Sequence, residues 1–120
     1  MQPEIYTLPT ISFVGGATQE IRFNLKDADG EVFNATGCEA SFAVSEYGKK
    51  DRLFTLTPSF LSDASGVLSV MIVEVPSANT RNLDGKYIYQ VTLIDSQDNV
   101  GIPNKGIMNI SVNIDKQFIS

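Results

Sequence analysis

The chain has 120 residues, of which 42% are hydrophobic and 19% charged, and it carries a net charge of −5. This composition is typical of one globular domain and excludes a disordered chain. The single cysteine excludes an intrachain disulfide, and the absence of histidine excludes Ser-His-Asp and Cys-His catalysis. The acidic balance argues against nucleic acid as a partner.

The N-terminus lacks the basic segment and long apolar core of a signal peptide, and no apolar run approaches the ~20 residues of a membrane helix. We therefore expect synthesis in the cytoplasm and no membrane partner. Residues 1–120 are predicted to form one domain. Residues 1–10 leave two alternatives open: an N-terminal arm that reaches a neighbouring molecule, or a first strand packed on the same domain.

Polar and apolar residues alternate along the first half of the chain, which predicts strands with one solvent-facing side. The first predicted strand covers residues 11–14. In residues 20–26 the alternation has no error, and the apolar face carries Ile21, Phe23 and Leu25. Residues 38–45 repeat it, with an inward face of Ala40, Phe42 and Val44. Residues 53–57 form a shorter strand that Pro58 ends.

In the second half, residues 67–73 are almost continuously apolar, and their predicted core face is Leu68, Val70 and Ile72. A single helical turn is predicted over residues 77–82, with Ser77 as its N-cap. Residues 86–94 form the next strand, with Tyr89, Val91 and Leu93 inward. The last strand covers residues 107–114, and its inward positions are Met108, Ile110, Val112 and Ile114.

Gly, Asp and Asn clusters separate these strands at short intervals, as expected for tight turns. Short alternating strands at this spacing predict an all-β fold. The spacing alone indicates a β-sandwich or a barrel. With the tyrosine corner described below, the predicted architecture is an immunoglobulin-like antiparallel β-sandwich of about seven strands.

Candidate chemistry is sparse. Cys38 lies on an alternating strand, where a buried structural thiol is favoured over a nucleophile. The turns contain several aspartates, for which local backbone bonding is favoured over a catalytic pair: Asp27, Asp29, Asp63, Asp95 and Asp98. The "DADG" segment opens like a calcium loop, but its fifth and twelfth positions are Glu31 and Cys38, so a hairpin is favoured. We predict no enzyme activity, metal or cofactor.

The stretch "LDGKYIYQV" has the pattern of the tyrosine corner of immunoglobulin-type sandwiches. In this interpretation Leu83 fills the core, Gly85 bends the chain, and the hydroxyl of Tyr87 bonds back to the preceding connection. The predicted site residues are therefore structural. Tyr6 and Tyr47 lie outside the alternation and are candidates for surface contacts.

Four segments within residues 18–115 share a further pattern: "IRFNLKDADGEVFNATGCEASFAV", "SGVLSVMI", "LDGKYIYQVTLIDSQDNV" and "GIMNISVNI". Together they resemble immunoglobulin-like domains of tailed bacteriophages, as found in baseplate upper proteins and tail accessory proteins. The resemblance implies a non-catalytic structural module of a phage or prophage tail or baseplate. Its partners would be other tail proteins or copies of itself, met through sheet faces, loops or edge strands, and it would reside in the virion. The alternative is a carbohydrate- or cell-surface-binding sandwich.

Overall fold

Two β-sheets pack face to face in the computed structural model, which describes residues 8, 10–26, 29–49, 51–101 and 105–115. The predicted all-β sandwich is confirmed. The six-stranded sheet contains β1 (Ile11–Val14), β3 (Glu39–Glu46), β4 (Phe54–Leu56), β7 (Gly85–Ile94), β8 (Val100–Gly101) and β9 (Gly106–Ser111). The three-stranded sheet contains β2 (Gln19–Asn24), β5 (Ser59–Ser62) and β6 (Leu68–Val75). One helical turn, α1 (Ser77–Thr80), joins β6 to β7.

The strand order is that of an immunoglobulin-type sandwich. It runs β1-β9-β7-β3-β4 in the larger sheet, with β8 beside β7, and β2-β6-β5 in the smaller sheet. In an immunoglobulin-type sandwich, the second, fourth and fifth strands along the chain lie in one sheet, and the third, sixth and seventh lie in the other. In this protein the first group corresponds to β2, β5 and β6, and the second group corresponds to β3, β7 and β9.

One pairing departs from the antiparallel expectation. β1 lies parallel to β9, with Ile11 opposite Met108 and Val14 opposite Ser111, whereas the other paired strands are antiparallel. The chain leaves β1 through Gly15 and Gly16 and enters β2 in the opposite sheet. Parallel strands need a long connection between them, and here nearly the whole domain lies between β1 and β9 in sequence.

The core lies between the sheets and follows the predicted alternation of β2, β3 and β7. Its buried members from these strands are Ile21, Phe23, Phe42, Val44, Tyr87, Tyr89, Val91 and Leu93. Three of their rings form an aromatic cluster: Tyr89 stacks on Phe42 at 5.3 Å between centroids, and Phe23 tilts against Tyr89 at 5.9 Å. The cluster joins the two sheets, because Phe23 belongs to the smaller one.

The predicted core face of β6 is wrong. The inward residues are Met71, Val73 and Val75, all fully buried. Leu68, Val70 and Ile72 alternate with them on the outer side, although Ile72 is also buried, at 7% exposure. A continuous apolar run does not fix which alternate residues face the core. Cross-strand pairing fixes it here, because Met71 lies opposite Phe23 and Val73 opposite Ile21, and directly opposed residues share a face.

The last predicted strand is too long. β9 ends at Ser111, so Val112 and Ile114 are 47% and 97% exposed, although Met108 and Ile110 are buried as predicted. The alternation of apolar and polar residues continues to Ile114, although the strand itself ends at Ser111. Strands β5 and β8 were not predicted. They contain only four and two residues, and β5 begins directly after Pro58.

The predicted N-cap is also wrong. Helix α1 covers Ser77–Thr80, and the capping position belongs to Pro76, which provides no side-chain hydrogen bond. Pro76 has an extended conformation (φ −65°, ψ 148°), and the helix begins at the next residue, Ser77.

Gly106 at the start of β9 provides a test of the aromatic cluster. A Cβ at this position would overlap the ring of Tyr89, which is fully buried and cannot move away. We expect Gly106→Ala to lower the free energy of unfolding by about 1–3 kcal/mol, the usual cost of overpacking, in urea titrations. In a Tyr89→Leu background the added methyl group finds space, and its cost should fall. An equal cost in both backgrounds would contradict the packing explanation.

Candidate interaction surface

The three predicted corner residues lie together where the chain enters β7. The Tyr87 hydroxyl accepts a hydrogen bond from the Asp84 amide at 3.1 Å and donates to the Asp84 carbonyl at 3.4 Å. Gly85 has φ 130°, a conformation that other residues rarely adopt. Leu83 is half-buried against the core. These residues fix the backbone conformation where β7 begins, and they expose no reactive group. Their role is therefore structural.

A second tie at this end was not predicted from the sequence. Thr80 is fully buried, and its hydroxyl accepts a hydrogen bond from the Gly16 amide at 2.9 Å. The Asn113 side-chain amide donates to the Gly15 carbonyl at 2.8 Å. The connection after β1, the helical turn before β7 and the segment after β9 are thereby fastened together. Only the buried threonine in a polar helix turn could have signalled this, and its burial is not visible in sequence.

Asp63 organises the turn between β5 and β6. One carboxylate oxygen accepts hydrogen bonds from the hydroxyl and amide of Ser65 and from the Val67 amide, and the other accepts from the Ser69 hydroxyl. These bonds, those from Ser65 and Ser69 foremost, lower the pKa of Asp63 to about 2. The carboxylate is committed to backbone organisation, as predicted for a turn aspartate.

Asp95 acts in the same way between β7 and β8. Its carboxylate accepts hydrogen bonds from the amides of Gln97 and Asn99 and from the Asn99 side chain. The bonds from Asn99, with that from Gln97, hold the pKa of Asp95 below its ordinary value. Asp98 in the same turn adopts φ 63°, a conformation that aspartate tolerates.

The predicted hairpin after β2 is only partly described. Lys26 and Val32 form an antiparallel bridge, and the Phe33 amide donates to the Leu25 carbonyl at 3.0 Å, so the chain does reverse here. Asp29 and Glu31 are exposed at this turn, whereas Asp27 lies outside the described residues. Within the described ranges, no three His, Cys, Asp or Glu side chains come close enough to hold a metal ion.

Cys38 is half-buried rather than fully buried, and it packs against the core. Burial, together with the nearby Asp95 carboxylate, raises the pKa of the Cys38 thiol. The thiol is therefore protonated at neutral pH, which suits a structural residue better than a nucleophile.

Among the described residues, the structure contains no helix with the length and apolar character needed to span a membrane.

Tyr47 is the one tyrosine exposed in the part of the chain that the structure describes, with 57% of its surface accessible. The Lys86 ammonium lies 5.0 Å from the centre of its ring, in a cation–π contact. Tyr6, the other candidate surface aromatic, lies outside the described residues. Among the residues that the structure describes, the exposed aromatic surface available to stack on a sugar is the ring of Tyr47, with the Lys86 ammonium beside it.

The outer side of the six-stranded sheet contains a shallow depression of about 320 Å³. Its floor is formed by outward residues of β3 and β7: Ala43, Ser45, Ile88 and Gln90. The charged residues that line it are Lys49 and Arg52, from the connection between β3 and β4, and Lys105, just before β9. We call this feature the cationic depression. Its residues come from three separate segments, so the sequence did not indicate it.

The edge strands carry features that resist pairing with another chain. The free edge of β2 exposes Glu20 and Arg22, which form an ion pair at 2.8 Å. At the other edges, β1 has four residues, β4 has only three, and β5 has a register shift between Leu61 and Ser62. Short, charged or bulged edges are the usual protection against strand addition. The sheet face is consequently the better candidate for docking.

Comparison with known proteins adds no family to this description. The chain matches no protein-family model, and no curated protein is significantly similar to it in sequence.

The corner gives a first prediction for this end of the molecule. Tyr87→Phe removes the hydroxyl but keeps the ring, so we expect the free energy of unfolding to fall by about 1 kcal/mol, the net value of one hydrogen bond. Urea denaturation measures it, with Tyr47→Phe at the exposed position as the matched control and no change expected there. A loss of partner binding at full stability would instead assign Tyr87 to an interface.

Asp63 gives a prediction for acid stability. Its pKa of about 2 in the folded chain lies below the ~3.9 of an unfolded aspartate. The ionised carboxylate therefore stabilises the fold above pH ~4, and this contribution is lost as the pH falls toward ~2. Thermal melts between these values should show a shallower decline for Asp63→Asn than for the wild type. Ser69→Ala, which removes one donor, should lie between them, and identical slopes for all three would contradict the assignment.

Proposed function

We propose that this protein is a non-catalytic structural module of a phage or prophage tail or baseplate, which acts by docking to other tail proteins or to copies of itself. The observation that carries the proposal is the cationic depression on the outer side of the six-stranded sheet. The resemblance of the four segments within residues 18–115 to immunoglobulin-like domains of tailed phages supplies the class of assembly. Residence in the virion after synthesis in the bacterial cytoplasm follows from the same proposal.

The division of the molecule into a rigid frame and an open face supports a docking role. The aromatic cluster and the Tyr87 corner use their side chains internally, and Asp63 and Asp95 are engaged in their own turns. The depression, by contrast, offers small and neutral side chains between basic ones, which suit burial against an acidic protein surface. Repeated subunits in a symmetric particle can add weak contacts of this kind into a stable assembly.

A carbohydrate- or cell-surface-binding module is the second candidate, and the exposed ring of Tyr47 favours it. Sugar recognition normally uses an open aromatic face, and at Tyr47 the Lys86 ammonium lies over the ring. Calorimetric titration with host cell-wall glycans separates the two proposals. Saturable binding that Tyr47→Ala abolishes would support this candidate over protein docking.

Incorporation into particles tests the docking proposal directly. Ala43→Leu fills the floor of the depression, whereas Ser59→Leu places the same side chain on an outward position of the other sheet and serves as the control. With both variants folded, as judged by thermal melts, mass spectrometry of purified particles should show the control at wild-type level and Ala43→Leu reduced about tenfold or more, as expected for loss of a well-packed contact. Absence of the wild-type protein from particles would overturn the proposal.

A further inference from the structure

The two ends of the sandwich differ in charge. Strand β7 runs from the Tyr87 corner at one end to the Asp95 turn at the other, and its ten residues separate the ends by about 30 Å. The connection between β3 and β4 lies at the corner end, because the Tyr47 amide donates to the Lys86 carbonyl at 3.2 Å. Lys49 and Arg52 belong to this connection and extend onto the outer face.

The other end, which we call the acidic end, gathers exposed carboxylates from the β2–β3 connection, the first residue of β3 and the turn after β7. The Cβ position of Gly37 lies 3.3 Å from Ser96, so the connection before β3 contacts the Asp95 turn. The Ala35 amide donates to the Leu68 carbonyl at 2.8 Å, which brings the turn after β5 to the same end. The exposed carboxylates there are Asp29, Glu31, Glu39 and Asp98. Lys26 is the basic residue described at this end.

The charged residues that line the cationic depression are all basic. Lys49, Arg52 and Lys105 form no ion pair with any residue that the structure describes. The carboxylates of Glu46 and Asp51 line an adjacent hollow instead, beside Lys49 and Arg52. The chain as a whole has a net charge of −5, and the acidic end of another copy is complementary in charge to the basic lining of the depression.

We propose that the acidic end of one copy docks into the cationic depression of the next, in a head-to-tail arrangement. This inference names the partner of the docking surface and rests on the proposed function for its biological setting. The two contacting surfaces are different parts of the chain, so the interface is heterologous, and repetition generates a ring if the rotation closes or a filament if it does not. Both groups of charges are exposed, so salt screens the contact within a Debye length of about 10 Å.

Association of the purified chain is the first test. Sedimentation velocity up to about 1 mM protein should show growth beyond the monomer at low salt. Raising NaCl from about 20 mM to about 300 mM should weaken the association about tenfold or more. A chain that stays monomeric at the highest concentration in low salt, or an association indifferent to salt, overturns the proposal.

Charge-changed variants make the test specific to the two surfaces. Lys49→Glu/Arg52→Glu removes the basic surface and keeps the acidic end, whereas Glu39→Lys/Asp98→Asn does the reverse. Asparagine is chosen at position 98 because it tolerates the observed φ of 63°. Each variant alone should be monomeric. An equimolar mixture retains one intact pair of surfaces and should form a species of two chains that grows no further.

The mixture distinguishes this geometry from its competitors. A symmetric interface between identical patches gives no heterodimer of this limited size, and a variant that still assembles alone would show that its charges are outside the contact. Thermal melts that match the wild type keep misfolding out of the comparison. Failure of self-association while the protein is still found in particles would overturn this inference and leave the proposed function standing.

Discussion

The ring of Tyr89 occupies the centre of the sandwich, and the rest of the structure depends on how it is packed. It stacks on Phe42 of the neighbouring strand and contacts Phe23 of the opposite sheet, while Gly106 leaves room for it on β9. Burial raises the pKa of its hydroxyl, so the side chain remains neutral. A domain without a disulfide must join its sheets by packing alone, and an aromatic cluster supplies the largest buried area per residue for this purpose.

This packing of the core determines which side chains lie on the outer faces of the sheets. Tyr87, two residues before Tyr89, fixes the angle at which β7 enters the sheet, and outward residues such as Ile88 and Gln90 alternate with the buried ones. The floor of the cationic depression is therefore the reverse side of the core strands. The proposed docking surface inherits its rigidity from the same strands that hold the aromatic cluster.

The sequence predicted the fold where alternation was strict and failed where it was not. Phe23, Phe42 and Tyr89 were placed inward because polar neighbours fixed the phase, whereas β6 is apolar on both sides and its phase depends on pairing with β2. Val112 and Ile114 continue the apolar–polar alternation beyond the end of β9, where it no longer indicates which side chains are buried. The parallel pairing of β1 with β9 joins the first and last described strands, and no local sequence pattern indicates such a contact. The same limit hid the depression, because Lys49 and Lys105 are far apart in sequence.

Zero-length cross-linking between isotopically distinct copies tests the head-to-tail account most directly. A carbodiimide joins a lysine amine to a carboxylate only when they touch, and Lys49 lies about 25 Å from the Asp95 turn along the same molecule. In a mixture of ¹⁴N- and ¹⁵N-labelled chains at low salt, peptides linking Lys49 or Lys105 to Glu39 or Asp98 should carry both isotopes. Cross-links confined to single-isotope peptides, or linking other parts of the surface, would contradict the account.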